Sequence, residues 1–201
     1  MTWEESALRF EFGPAWTVRR YDAHRFYQAI SGSDMKGVDF VAIYEQRYLL
    51  LIEVKNYTKR YGDQLPRVVP PLDDPAAFAA HVGRKWHDSL HAVRIFRLAL
   101  LRDWRYRLFH RWLNRFLAPR HDWRFWTRAY HLSQLPGATH ALLWLELADR
   151  YPKRERGANR QEQLDRVAQH LEAALPPGVH SVCINSTRHP LPATLLRVVR
   201  V

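Results

Sequence analysis

Three charged residues stand inside the two most apolar stretches of this chain. Asp39 opens the run FVAIY, and Glu53 and Lys55 close the run YLLLIEVKNY, with Glu45-Gln46-Arg47 between the two. Charge placed in segments this apolar is costly to bury unless it is paired or holds a metal. An antiparallel hairpin with a three-residue turn at 45–47 sets Tyr44 opposite Tyr48 and Ala42 opposite Leu50. The same ladder carried onward sets Asp39 opposite Glu53. Opposed residues share a face of the sheet with Cβ atoms about 5 Å apart, and Lys55, two residues past Glu53, shares that face. Two carboxylates so close repel, and one keeps its proton unless a cation lies between them. A hard divalent cation such as Mg²⁺ takes oxygen ligands and keeps several waters, one of which the lysine could orient. A slip of one residue would send Asp39 to the other face, so the reading depends on the turn.

Asp39, a spacer of strand length and Glu53-Val54-Lys55 resemble the active-site signature of the PD-(D/E)XK nuclease superfamily, the restriction-endonuclease-like proteins. Gly37-Val38 stands where that signature has a proline before the aspartate. The resemblance is close over residues 1–57 and extends beyond them only in the order of elements. It implies an α/β fold, a mixed central β-sheet flanked by helices with an αβββαβ core. It also implies a Mg²⁺- or Mn²⁺-dependent endonuclease that hydrolyses phosphodiester bonds, in DNA before RNA. Asp39 and Glu53 would hold the metal, the Val54 carbonyl would be a further ligand, and Lys55 would assist the attacking water. Many members add a carboxylate from an N-terminal helix. Glu5 is the first candidate for it, then Glu4, then Asp22.

The elements that must position these residues follow from pattern. Thr2 with Glu5 three places on has the spacing of a capping box, so residues 2–9 are expected to be a short helix, where Glu4 and Glu5 could equally serve helix-end electrostatics. Ala15 to Arg20 is a first strand, and Asp22 fits a turn or cap. After Lys55 the chain is polar and rich in proline, a loop made basic by Lys59, Arg60 and Arg67. Asp74 and Pro75 start a helix, and Phe78, Val82, Trp86, Leu90 and Val93 give it one apolar face. Lys85 and Asp88 fit an i, i+3 ion pair on the solvated side; if the helix covers the hairpin, they face the three charges. His140 to Leu147 is a buried strand with Glu146 paired to an arginine. Asn159 to Leu175 is an amphipathic helix. Val179 to Asn185 is a buried strand in which Cys183 is a small hydrophobe, and Leu195 to Val201 is a last strand.

Residues 94–128 interleave arginine with Trp, Phe and Tyr. Arginines that track phosphates while rings stack on bases would explain this composition, with Arg105 and Arg111 joining Lys59, Arg60 and Lys85 as nucleic-acid contacts. An anionic membrane surface or another subunit are other uses of such a segment. The structural alternative is an inner stripe of Ile95, Leu98, Trp104, Leu108 and Trp112 with solvated arginines.

Composition agrees with a polyanionic partner. The 201 residues carry a formal net charge of +11, and of 31 basic residues only five are lysines. Arginine favours bidentate phosphate contacts, and the charge balance points to nucleic acid before membrane. The single cysteine excludes a disulfide framework and a zinc cluster built on cysteines. An acidic N-terminus and the absence of an apolar run of about 18 residues predict neither signal peptide nor membrane span, hence a cytoplasmic protein with no membrane partner. No repeat or linker divides the chain, so one domain over 1–201 is expected. The competing expectation is a catalytically inactive module of this fold that binds nucleic acid or a partner protein. Small size and the lack of any P-loop suit a subunit of a phage-defence or DNA-repair system, with a partner protein or a second copy of itself.

Overall fold

The computed structural model describes residues 1–21, 35–58, 74–102, 104, 107–108, 121–147, 160–187 and 196–200. Its strands are β1 (Thr2–Glu5), β2 (Leu8–Phe12), β3 (Trp16–Arg20), β4 (Phe40–Tyr44), β5 (Tyr48–Tyr57), β6 (Thr139–Leu147), β7 (Ser181–Asn185) and β8 (Leu196–Arg200). The helices are α1 (Pro75–Arg102), α2 (Asp122–Ser133) and α3 (Arg160–Ala173). A five-stranded sheet has the order β3-β4-β5-β6-β7, and a three-stranded sheet the order β1-β2-β8. The large sheet is mixed: β3, β4 and β5 are antiparallel neighbours, whereas β6 and β7 run parallel to β5. This is the α/β architecture with a mixed central sheet that the sequence predicts.

Its two faces are covered differently. Val41, Ile43, Leu49, Leu51, Leu143 and Leu145 pack on Phe78, Val82, Trp86 and Phe96 of α1, on Phe125 and Trp126 of α2, and on Val167 and Leu171 of α3. The alternate residues Phe40, Ala42, Ile52, Val54, Leu142 and Trp144 pack on Leu8, Phe10, Phe12 and Leu196 of the small sheet. Strands apolar on both faces are what a central sheet buried on both sides requires.

The opening helix expected over 2–9 is a β-hairpin instead. Ser6 and Ala7 both have positive φ, 52° and 60°, as the tight turns that join antiparallel strands demand. Leu8, Phe10 and Phe12 are buried while Arg9 and Glu11 are not. That alternation has period two, and it outweighs the capping-box spacing because three large apolar side chains gain more by burial than one cap returns.

The long helix begins as expected. Asp74 Oδ1 accepts from the Ala77 N–H at 2.9 Å, and Phe78, Val82, Trp86, Leu90 and Val93 are all buried. Gly83 lets α1 approach α3, since a Cβ there would lie 2.7 Å from the Ala174 carbonyl oxygen. Among the described residues of the inner stripe expected farther along, Ile95 alone is half-buried. Leu98, Trp104 and Leu108 are more than half exposed, because the sheet is already covered by the first part of α1 and by α2. Trp112 lies outside the described residues. Cys183 is also exposed, since among the described residues β7 is the edge of the large sheet, with a neighbour only on one side. Glu146 is buried, and its carboxylate accepts from Trp144 Nε1 at 3.0 Å and from the Thr187 hydroxyl at 2.9 Å. Among the described residues no helix is long and apolar enough to cross a membrane.

Candidate active site

The hairpin of β4 and β5 has the register that its three-residue turn predicts: Tyr44 pairs with Tyr48, Ala42 with Leu50 and Phe40 with Ile52. Glu45 and Gln46 adopt positive φ, 48° and 56°. The turn is held from outside, by Ala15, whose carbonyl accepts from the Glu45 N–H at 3.0 Å, and by Arg128 of α2, whose guanidinium donates to the Gln46 carbonyl. These contacts oppose the slip that would reverse the faces.

Asp39 lies one residue before β4. Beyond Phe40 the Val54 N–H has no strand residue to meet, and Asp39 Oδ2 takes it at 2.6 Å. The carboxylate thus terminates the ladder and is anchored by it. The backbone around it is tied down as well. The Asp39 carbonyl accepts from the Tyr21 N–H at 2.9 Å, and the N–H groups of Lys36 and Val38 donate to Asp88 and Ser89 of α1, each at 3.0 Å. The segment that presents Asp39 is therefore fastened to the helix that covers the sheet.

Glu53 follows Leu49 and Leu51 on the helix-covered face and is 0% exposed. Its Oε1 accepts from two ammonium groups, Lys55 Nζ at 2.6 Å and Lys85 Nζ at 2.7 Å. Its Oε2 is buried with no hydrogen-bond partner. Lys85 comes from α1, one residue before the buried Trp86. It does not pair with Asp88, whose Oδ2 meets the Lys36 N–H and Arg84. Polar residues beside the inner stripe of α1 were the signal for this: Lys85, Asp88 and Ser89 all turn toward the hairpin.

The electrostatics follow from this packing. Burial, and then the neighbouring Glu53, push the Asp39 carboxyl up to about 7, although Lys85, the Val54 N–H and Lys55 all pull it down. Burial alone would lower Lys55, but the charge and hydrogen bond of Glu53 outweigh it and hold the ammonium above its usual range. Lys55 is therefore held in its charged form by Glu53. Tyr57, next on the same face, is raised by burial and by Glu53. His81, one turn before Lys85, is lowered by burial and by Lys55, Lys85 and Lys36, so its imidazole is neutral near pH 7.

The residues present fit a divalent cation at one corner. Glu53 Oε2 is an orphaned acceptor in a dry place, and such an oxygen is stabilised by a cation. Asp39 and Glu53 would hold it. Among the described residues no third His, Cys, Asp or Glu joins them in a metal-sized group. Val54 is bound into the cluster through its N–H, while its side chain packs on the opposite face.

Glu5 is not brought there. Its carboxylate pairs with Arg20 at 3.1 Å, and Asn56 Nδ2 donates to the Ser6 carbonyl at 2.8 Å. Asn56 shares the face of Ile52 and Val54, so the β1–β2 turn sits across the sheet from Glu53. The cause is the hairpin that replaces the expected helix. Glu4 is likewise engaged, by Arg9 at 2.9 Å. Asp22, Lys59, Arg60, Arg105 and Arg111 lie outside the described residues.

Protein-family models, curated proteins and solved structures were compared with the chain, and none matches. The site therefore rests on its own chemistry: two adjacent carboxylates, two ammonium groups on one of them, and a neutral imidazole and a tyrosine at the rim.

Proposed function

We propose that the protein is a metal-dependent nuclease that hydrolyses phosphodiester bonds, with DNA the substrate ahead of RNA. The observation that carries the reading is the convergence of Asp39, Glu53 and Lys55 on one face, with one oxygen of the buried Glu53 left without a partner. Mg²⁺ or Mn²⁺, when bound, supplies Lewis acidity at the scissile phosphate. Asp39 and Glu53 bind the ion, and the rigid hydrogen bond from the Val54 N–H keeps Asp39 aimed. Lys55, held beside Glu53 at 2.6 Å, orients the attacking water. The net charge of +11 favours the approach of a polyanion. A role as one subunit of a phage-defence or DNA-repair assembly suits a small basic domain.

The test is cleavage of plasmid and single-stranded DNA, and of RNA, with Mg²⁺, Mn²⁺ or EDTA. Wild type is expected to cut with either metal and not with EDTA. Lys55→Ala and Asp39→Ala are expected to lose at least about 100-fold in rate, the order that positioned catalytic groups contribute. Equal rates for wild type and both variants would remove these residues from the active site. Binding without cleavage under every metal would favour the inactive module.

A further inference from the structure

We propose that Lys85 is a catalytic residue of this site, the group that binds a non-bridging oxygen of the scissile phosphate and stabilises its charge in the transition state. The inference rests on the nuclease reading. Its basis is that Lys85 Nζ and Lys55 Nζ meet the same oxygen of Glu53, at 2.7 and 2.6 Å, from two different elements. One carboxylate oxygen does not need two ammonium groups for neutrality. Lys55 and Lys85 already balance the two carboxylates of Glu53 and Asp39, so a divalent cation held by those carboxylates would leave the cluster with surplus positive charge. A half-buried surplus of this sign is stabilised by an anion, and a phosphodiester is the anion the proposed reaction brings.

The two lysines differ in what holds them. Lys55 rises from the strand floor, two residues from Glu53 on the same strand. Lys85 descends from the helix roof, on the side of His81, which feels Lys55, Lys85 and Glu53 of the site and also Lys36. In hydrolysis the water oxygen bonds to phosphorus, one P–O ester bond breaks, the water gives up a proton to solvent and the leaving oxygen takes one up. Negative charge grows on the phosphoryl oxygens during that exchange, and a preorganised ammonium beside them lowers the barrier. Lys85 keeps its proton throughout. The resulting division is strand lysine for the water and helix lysine for the phosphate.

The experiment is single-turnover cleavage of a DNA duplex by wild type, Lys55→Ala, Lys85→Ala and Lys85→Arg in Mg²⁺, with affinity for the uncut duplex measured in Ca²⁺. A parallel series uses the two phosphorothioate diastereomers at the scissile position. Lys85→Ala is expected to slow the chemical step about 100-fold while the Kd for DNA changes less than about threefold. It should also shrink the rate difference between the diastereomers, which a residue that merely supports Glu53 would not do. Lys85→Arg keeps a cation on Glu53 and is the variant to use if the alanine protein does not fold. It should recover part of the rate and retain a thio effect altered from that of wild type. Cleavage by Lys85→Ala or Lys85→Arg at the wild-type rate with an unchanged thio effect, while Lys55→Ala is dead, overturns the assignment and leaves the nuclease reading intact. A slow Lys85→Ala protein with an unchanged thio effect overturns it too. No cleavage by wild type with any metal removes the nuclease reading, and this inference with it.

Discussion

The two faces of β5 differ in a way that separates stability from chemistry. On one face Ile52 and Val54 join Phe10, Phe12, Phe40 and Trp144, a wholly apolar layer between two sheets in which Phe10 meets Phe40 at 5.5 Å and Trp144 edge-on at 5.7 Å. On the other face Leu49 and Leu51 give way to Glu53 and Lys55, under a helix that contributes Lys85. The same strand thus contributes packing downward and charge upward, alternating residue by residue. The apolar face gains free energy from every side chain it buries. The charged face contains an acceptor with no partner and a carboxyl pushed up to about 7, features that cost stability and persist where they serve a function.

This contrast can be broken from either side. The largest effect is expected on the apolar face. Phe10→Ala removes a fully buried ring in contact with three others and should cost about 3–5 kcal/mol, read as a lower urea midpoint. Activity per folded molecule should be unchanged, and a loss of cleavage in the folded variant would show the faces to be coupled.

A smaller effect of opposite sign is expected on the charged face. Asp39 has its folded pKa raised from 3.8 to about 7, by burial first and by Glu53 next. Between those values the folded protein keeps a proton that the unfolded chain has released. Stability therefore falls as pH rises from about 4 to about 7 and levels off above. Asp39→Asn removes that slope and still accepts the Val54 N–H. It should melt higher than wild type at pH 8, match it near pH 4, and be inactive. Under the proposed function Mg²⁺ requires the ionised carboxylate, so it should raise the wild-type Tm most above pH 7, with no effect on the variant. A variant that melts lower at pH 8 would show that Asp39 stabilises the fold.

The smallest effect belongs to the outer surface of the small sheet. Glu4 and Arg9 pair at 2.9 Å but both are largely exposed, and such pairs contribute within about 1 kcal/mol. Glu4→Ala should leave the melting temperature and cleavage nearly unchanged. A large loss of activity would return the N-terminal carboxylates to the site.

The hairpin, its register and the shared face of Asp39, Glu53 and Lys55 were legible from spacing, because a three-residue turn and a period of two leave little freedom. The start of α1 at Asp74 and its apolar stripe were legible for the same reason: local periodicity and capping are read within a few residues. The N-terminal segment carries both a capping-box spacing at Thr2 and Glu5 and the strand alternation LRFEF. Two local signals competed there, and the choice went to burial against Phe40 and Trp144, which are far away in sequence.

The sequence by itself determined which residues are chemically equipped: two carboxylates and a lysine at strand spacing, carried by a basic chain. Tertiary structure alone decided which of them meet. Lys85 lies 32 residues from Glu53 along the chain, yet its Nζ is 2.7 Å from Glu53 Oε1. Glu5 was placed across the sheet by a hairpin whose partner strand, β8, comes from the other end of the chain. Contacts between distant segments depend on how whole layers pack, and no spacing within one segment encodes that. The floor of the site is a local property of β4 and β5, and its roof is a global one.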